Sequence, residues 1–150
     1  MSRLINLSVL LLIGLVCLGA AFAKPHEEMT KDHATELANE CKAETGATDE
    51  DVEHMMNHEA AESHKGKCLR ACVLKKFQIM DDSGKVNKEH AVEMVKALAK
   101  HDAEKEDAAT EVADKCEAIE ASEDHCDAAV AFETCIYEQM KEHGLELEEH

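Results

Sequence analysis

The sequence predicts an all-α protein, a compact globule of six helices stapled by disulfides. Three observations predict it. Pro25 is the single proline, so nothing after it breaks a helix for want of an amide proton. The chain is rich in Ala, Glu, Lys, Met and Leu and sparse in β-branched residues, a helix-forming composition. Its cysteines become an even set of six once a leader segment is set aside.

That leader is the opening MSRLINLSVLLLIGLVCLGAAFA. Arg3 provides the basic start, Val9 to Ala20 carry no charge, and Ala21-Phe22-Ala23 is a small-x-small cleavage signal. The apolar run is short for a bilayer span and acidic sequence follows it, so a removed secretory signal over residues 1–23 is expected. Residues 24–150 then form one domain. Cys17 leaves with the leader, and Cys41, Cys68, Cys72, Cys116, Cys126 and Cys135 remain. In a secreted, oxidising setting six cysteines read as three disulfides, which argues against zinc or redox use of C-L-R-A-C at 68–72.

Charge excludes further classes. Arg3 is one of the 16 basic residues, so residues 24–150 hold 33 acids against 15 bases, a net charge of −18 with histidine neutral. Such a surface repels nucleic acid and anionic membrane, so neither nucleic-acid binding nor stable membrane insertion is expected. Phe77, Phe132 and Tyr137 are the aromatic residues left to the domain, too few to dominate a core.

Six helices follow from caps and apolar spacing. The first runs from about Thr30 to Glu44 and closes before Gly46; the second begins at Thr48, whose Thr-Asp-Glu-Asp resembles a capping box with Asp in place of Glu. In the second, Val52, Met55 and Met56 keep i, i+3, i+4 spacing. The third holds CLRACVLKKFQIM, about Lys67 to Met80. Asn87 caps the fourth, with Ala91, Val92, Met94, Val95 and Leu98 on its inner face. The fifth spans about Ala103 to Ala121, with Ala108, Val112, Cys116 and Ile119 on one stripe. The sixth runs from Asp124 to about His143, with Phe132, Ile136 and Met140 on a stripe, and ends at Gly144.

Helical geometry restricts the disulfide pairing. Cys68 and Cys72 sit side by side one turn apart, and a bond between them would be strained. Cys126 and Cys135 lie roughly 13.5 Å apart along one axis, at 1.5 Å per residue, and cannot bond. Those exclusions leave ten of the fifteen pairings open. Cys126 and Cys135 also fall on opposite faces, so the sixth helix is expected to be stapled on both sides.

The spacing C-x26-C-x3-C-x43-C-x9-C-x8-C resembles the six-cysteine insect odorant-binding proteins, of the pheromone-binding and general-odorant-binding kind. The C-x3-C and C-x8-C steps carry the resemblance most specifically, and it spans residues 24–150; the 43-residue interval is toward the long side. The resemblance implies pairing first to third, second to fifth and fourth to sixth: Cys41–Cys72, Cys68–Cys126 and Cys116–Cys135. It also implies six helices around an apolar cavity, a secreted carrier of odorants, pheromones or similar small hydrophobic ligands, and a membrane chemoreceptor as partner.

Candidate pocket residues come from the apolar faces: Met55, Met56, Leu74, Phe77, Val92, Val95, Leu98, Val112, Phe132, Ile136 and Tyr137. Each has an ordinary core role as its simpler reading. Tyr137 is the best polar handle, because a buried phenol needs a hydrogen-bond partner and a ligand oxygen can be one. Leu145 and Leu147 are candidates to fold over the opening.

Other chemistries find little. Placing Gly84 at the glycine of a calcium loop puts Ile79 and His90 at ligand positions, so DDSG reads as a polar turn. HEAAESH at 58–64 has Glu62 where a zinc-protease helix needs its second histidine. His54 and His58 share a face opposite Val52, Met55 and Met56, so they read as solvated. Ten histidines allow a pH response, which members of the resembled family show, but exposed histidines without such a role are the simpler reading. Ser63, Ser83 and Ser122 lie outside any G-x-S-x-G, the cysteines are committed to bridges, and neither His101-Asp102 nor His125-Cys126-Asp127 fits a secreted phospholipase. No enzyme activity, cofactor or metal is expected. A saposin-like lipid-interacting protein and a secreted structural or signalling module with a filled core are the alternatives to a carrier.

Overall fold

The computed structural model describes residues 29–99, 105–119 and 122–145. The leader and Leu147 lie outside the described residues. Six helices follow in order: α1 (Lys31–Thr45), α2 (Asp49–Met56), α3 (His64–Lys76), α4 (Lys88–Leu98), α5 (Glu106–Glu117) and α6 (His125–Glu142). Among the described residues, an isolated antiparallel bridge between Met80 and Val86 is the only β pairing.

Most ends form where the sequence places them. Thr30 Oγ1 accepts from the His33 amide, and Gly46, at φ 70°, closes α1 by donating to Lys42 O at 2.9 Å. The capping box at α2 is complete: Asp51 N donates to Thr48 Oγ1 at 3.1 Å, and Thr48 N to Asp51 Oδ2 at 2.8 Å. Asp51 also accepts from Ser63 Oγ at 2.7 Å, while that hydroxyl caps α3 by accepting from Gly66 N at 2.8 Å. One carboxylate thus joins the starts of two helices. α6 ends as the sequence requires, with Leu145 N donating to Met140 O and Gly144 N to Lys141 O around Gly144 at φ 66°.

Two helices differ from expectation. α3 starts three residues early, because Ser63 caps it, and stops at Lys76 instead of Met80. The stop is a left-handed residue without glycine: Gln78 takes φ 59°, Ile79 N donates to Leu74 O and Gln78 N to Lys75 O. α5 ends at Glu117, so Ile119 falls past the helix and is exposed instead of completing the stripe. The Asp81 carboxylate organises the turn after α3, accepting from Ser83 N, Ser83 Oγ and Lys85 N. Those internal donors depress its pKa, the Ser83 hydroxyl most.

The helices pack as two apolar clusters sharing α3. One joins α4, α5 and α6 through Val95, Val112, Phe132, Ile136 and Met140; the other joins α1, α2 and α3 through Ala38, Cys41, Met55, Leu69 and Val73. Phe77 touches both. α3 packs on α1, α2 and α6, and α5 on α4 and α6. Disulfides join Cys41 to Cys72 (α1–α3), Cys68 to Cys126 (α3–α6) and Cys116 to Cys135 (α5–α6). They chain α1, α3, α6 and α5 into one frame. α2 and α4 carry no disulfide and hold to it by packing and polar contacts, such as Ser63 Oγ to Asp51 and Lys88 to Asp114.

Candidate functional site: an apolar cleft with a polar end

A cleft of about 160 Å³ opens between the two clusters, with one side toward solvent. The start of α1 contributes Met29, Thr30, Lys31 and Ala34, the end of α2 contributes Met55 and Met56, and the turn after it contributes His58. From α3 and its exit come Val73, Leu74, Phe77 and Ile79; from α4, Met94, Ala97 and Leu98; from α6, Glu133 and Tyr137. The wall is mostly aliphatic and rich in methionine, whose unbranched thioether adapts to varied shapes. A larger depression of about 620 Å³ lies over the α3–α4 turn, but Lys75, Asp81, Asp82, Lys85 and Glu117 make it a charged surface groove. The smaller, apolar cleft is the better ligand site, because burial of apolar surface drives such binding.

Six of the eleven residues chosen from sequence stand on this wall: Met55, Met56, Leu74, Phe77, Leu98 and Tyr137. The other five do not line it. Val95, Val112, Phe132 and Ile136 are buried in the closed interior, and Val92 packs half-buried against it. Helical periodicity marks the inward face but not whether that face meets protein or empty space. Leu145 likewise packs into the α4–α6 interior and not over the cleft.

The polar end is built on one face of α6. Tyr137 Oη lies 3.1 Å from His58 Nδ1, with the rings edge-on at 5.2 Å. Burial raises the Tyr137 phenol well above its ordinary pKa, and the neighbouring Glu133 charge adds to that, so the phenol is neutral. One turn earlier, Glu133 Oε2 accepts from Arg70 Nη1 at 2.8 Å, with both residues buried. Burial raises the Glu133 carboxyl above its ordinary pKa, and the Arg70 charge and hydrogen bond offset only part of that rise. Arg70 Nη2 also donates to Glu59 O. The loop after α2 is therefore tied to α6 at adjacent residues, His58 through Tyr137 and Glu59 through Arg70.

Sequence reasoning missed this arrangement and misplaced His58. α2 ends at Met56, and His58, at φ 58°, turns back toward α6 in place of continuing a solvated helical face. His54 is half-buried too, 3.6 Å from Glu59. A signal was present: Arg70 stands between Leu69 and Ala71 in an apolar run, and Glu133 between Phe132 and Ile136. His64 lies near Cys68 Sγ and Cys126 Sγ, but those sulfurs bond to each other and supply no thiolate for a metal.

Residues 23–139 match the PBP/GOBP family. The chain belongs to that family. It is 73% identical to general odorant-binding protein 19d of Drosophila melanogaster over 150 residues, all of both chains. The fold is similar to that of odorant-binding protein OBP28a from Drosophila melanogaster, with a TM-score of 0.73 and 41% identity over 77% of this chain and 95% of that one. A pheromone-binding protein from the cockroach Leucophaea maderae, solved in complex with the fluorescent reporter ANS, superimposes with a TM-score of 0.57 at 25% identity, over 72% and 92% of the chains. Six helices and three disulfides are thus those of a PBP/GOBP protein, and the cleft is a feature of this chain's own packing.

Proposed function

We propose that the protein is a secreted carrier that takes small hydrophobic ligands into the cleft between α1, α2, α3, α4 and α6. The observation that carries this reading is the apolar cleft itself, methionine-rich and open on one side, in a chain of the PBP/GOBP family. The names of its relatives, an odorant-binding protein and a pheromone-binding protein holding a fluorescent reporter, point the same way. The mechanism is equilibrium burial: the cleft removes apolar ligand surface from water at about 25 cal/mol per Å². Its volume of about 160 Å³ is comparable to apolar cavities of about 150 Å³ that hold benzene, and the open side lets a longer chain extend.

Export through the leader accounts for the six paired cysteines and gives the carrier an aqueous, oxidising fluid to work in. The acidic surface keeps it off anionic membranes, so delivery ends by release to a membrane chemoreceptor and not by insertion. The reading assigns no catalytic residue.

The test uses oxidised protein, residues 24–150, titrated with an uncharged fluorescent probe, N-phenyl-1-naphthylamine, which volatile alcohols, esters and fatty acids then compete for. Saturable one-to-one uptake with selective displacement supports a carrier. No saturable uptake by protein holding all three disulfides sinks the reading and leaves a module with a filled core.

A further inference from the structure

Among the described residues lining the cleft, Glu133 is the only acid and Lys31 the only lysine or arginine, with His58 beside Tyr137. The two differ in placement. Lys31 is exposed at the rim, whereas Glu133 is buried at the inner end beside Tyr137. Arg70, which neutralises Glu133, is not on the wall, and its two terminal nitrogens are engaged by Glu133 Oε2 and Glu59 O. What the inner end offers a ligand is therefore an acceptor.

We infer that Glu133 sets the ligand class, accepting a hydrogen bond from the hydroxyl of an uncharged ligand and turning away carboxylate headgroups. The inference rests on the carrier reading. A carboxylate offers about four lone-pair sites, and Arg70 occupies one of them. A neutral hydroxyl donating to a charged acceptor makes a strong bond in a water-poor cleft. A ligand carboxylate at the same place meets a like charge whose counter-ion is already committed. The neutral phenol of Tyr137, one turn along and bonded to His58, gives the hydroxyl oxygen a second neighbour without adding charge.

Three ligands of one length separate the possibilities: 1-octanol, its isosteric ether 1-methoxyheptane, and octanoate, each competing against N-phenyl-1-naphthylamine on oxidised residues 24–150 at neutral pH. 1-Octanol is expected to bind about tenfold more tightly than the ether, which lacks the donor, and about tenfold more tightly than octanoate. Glu133→Gln keeps an acceptor but removes the negative charge, so octanoate gains about tenfold and comes level with the alcohol. The double variant Arg70→Met, Glu133→Leu replaces the pair by apolar side chains, an exchange that commonly preserves folding. In it the alcohol loses its advantage over the ether, and this variant decides the matter if Glu133→Gln does not fold. Equal binding of all three ligands overturns the inference and leaves the carrier reading standing. Octanoate binding most tightly, with the gain lost in Lys31→Met, also overturns it by assigning selection to the rim. Absence of saturable probe uptake removes the carrier reading, and this inference with it.

Discussion

Arg70 and Glu133 lie 63 positions apart in the chain and meet at 2.8 Å in the interior, where Arg70 is 3% and Glu133 8% exposed. Arg70 Nε has no acceptor among the described residues, so the guanidinium depends on Glu133 and Glu59 O. The pair joins α3 to α6, as the Cys68–Cys126 disulfide also does, and it puts a buried carboxyl group on the wall of a mostly apolar cleft.

Breaking that pair from one side is expected to be costly. Arg70→Met strands a buried carboxylate and should lower stability by about 3–5 kcal/mol, whereas Arg70→Met with Glu133→Leu should recover most of the loss. Urea unfolding of the single and double variants checks this, and additive losses would contradict it.

Gly66 reverses the usual helix preference. Alanine within a helix is favoured over glycine by about 1 kcal/mol. Here an added Cβ would stand 2.5 Å from Asp51 Oδ1 and 3.2 Å from Ser63 Oγ, both held by hydrogen bonds. Gly66→Ala should therefore destabilise the fold by about 1–2 kcal/mol. A rise in melting temperature would show that Asp51 is free to move.

Asp51 gives stability an acid limit. The Thr48 amide, then the Ser63 and Thr48 hydroxyls, hold its pKa below the ordinary carboxylate range. The folded state thus binds this proton less readily than the unfolded chain, so the contribution is present above the unfolded pKa of about 3.9 and is lost as pH falls through the lower folded value. Asp51→Asn should be less stable than the parent at pH 7 by about 1–2 kcal/mol. The gap should narrow as both are taken below pH 3. A gap independent of pH would mean that the carboxylate charge is immaterial.

Wall and interior should respond in opposite ways to substitution. Ala97→Phe on α4 projects into the cleft and should abolish probe uptake while leaving the far-ultraviolet spectrum and cooperative unfolding intact. Ile136→Ala, fully buried and off the wall, should cost about 2–5 kcal/mol of stability and retain uptake below its melting temperature. Uptake unaffected by Ala97→Phe would place the ligand elsewhere.

The disulfides should rank by the loop each closes. Cys68–Cys126 spans 58 residues and Cys116–Cys135 spans 19. Replacing both cysteines of the longer loop by serine should cost about 4 kcal/mol, against about 3 for the shorter, if restriction of the unfolded chain is the main effect. Calorimetry of the two double variants decides this, and the reverse order would point to interactions in the folded state.

The legible part of the fold was written in local chemistry. Thr30, Thr48, Asn87, Asp124, Gly46 and Gly144 act where they stand, because a cap satisfies backbone groups within a few residues of itself. Gln78 was illegible for the same reason in reverse: it takes a left-handed conformation that its type does not announce, and only the docking of Ile79 and Met80 into the interior requires it. The cleft was half legible. Its apolar residues follow from helix faces, but Val95 and Leu98 read alike in sequence and differ only in what faces them across the gap. The polar end, joining His58, Arg70, Glu133 and Tyr137, is set by tertiary contacts between segments far apart in the chain.

Neither α2 nor α4 carries a disulfide, yet together they supply Met55, Met56, Met94, Ala97 and Leu98 to the cleft. The cross-linked helices fix the molecule's ability to fold, while the uncrosslinked ones fix much of the shape of what it holds. Inherited substitutions on α2 and α4 can therefore retune the contents without unpicking the frame. A lineage built on this plan can vary the shape of its apolar wall on α2 and α4 while selection guards the cross-linked helices, which hold both the frame and Glu133.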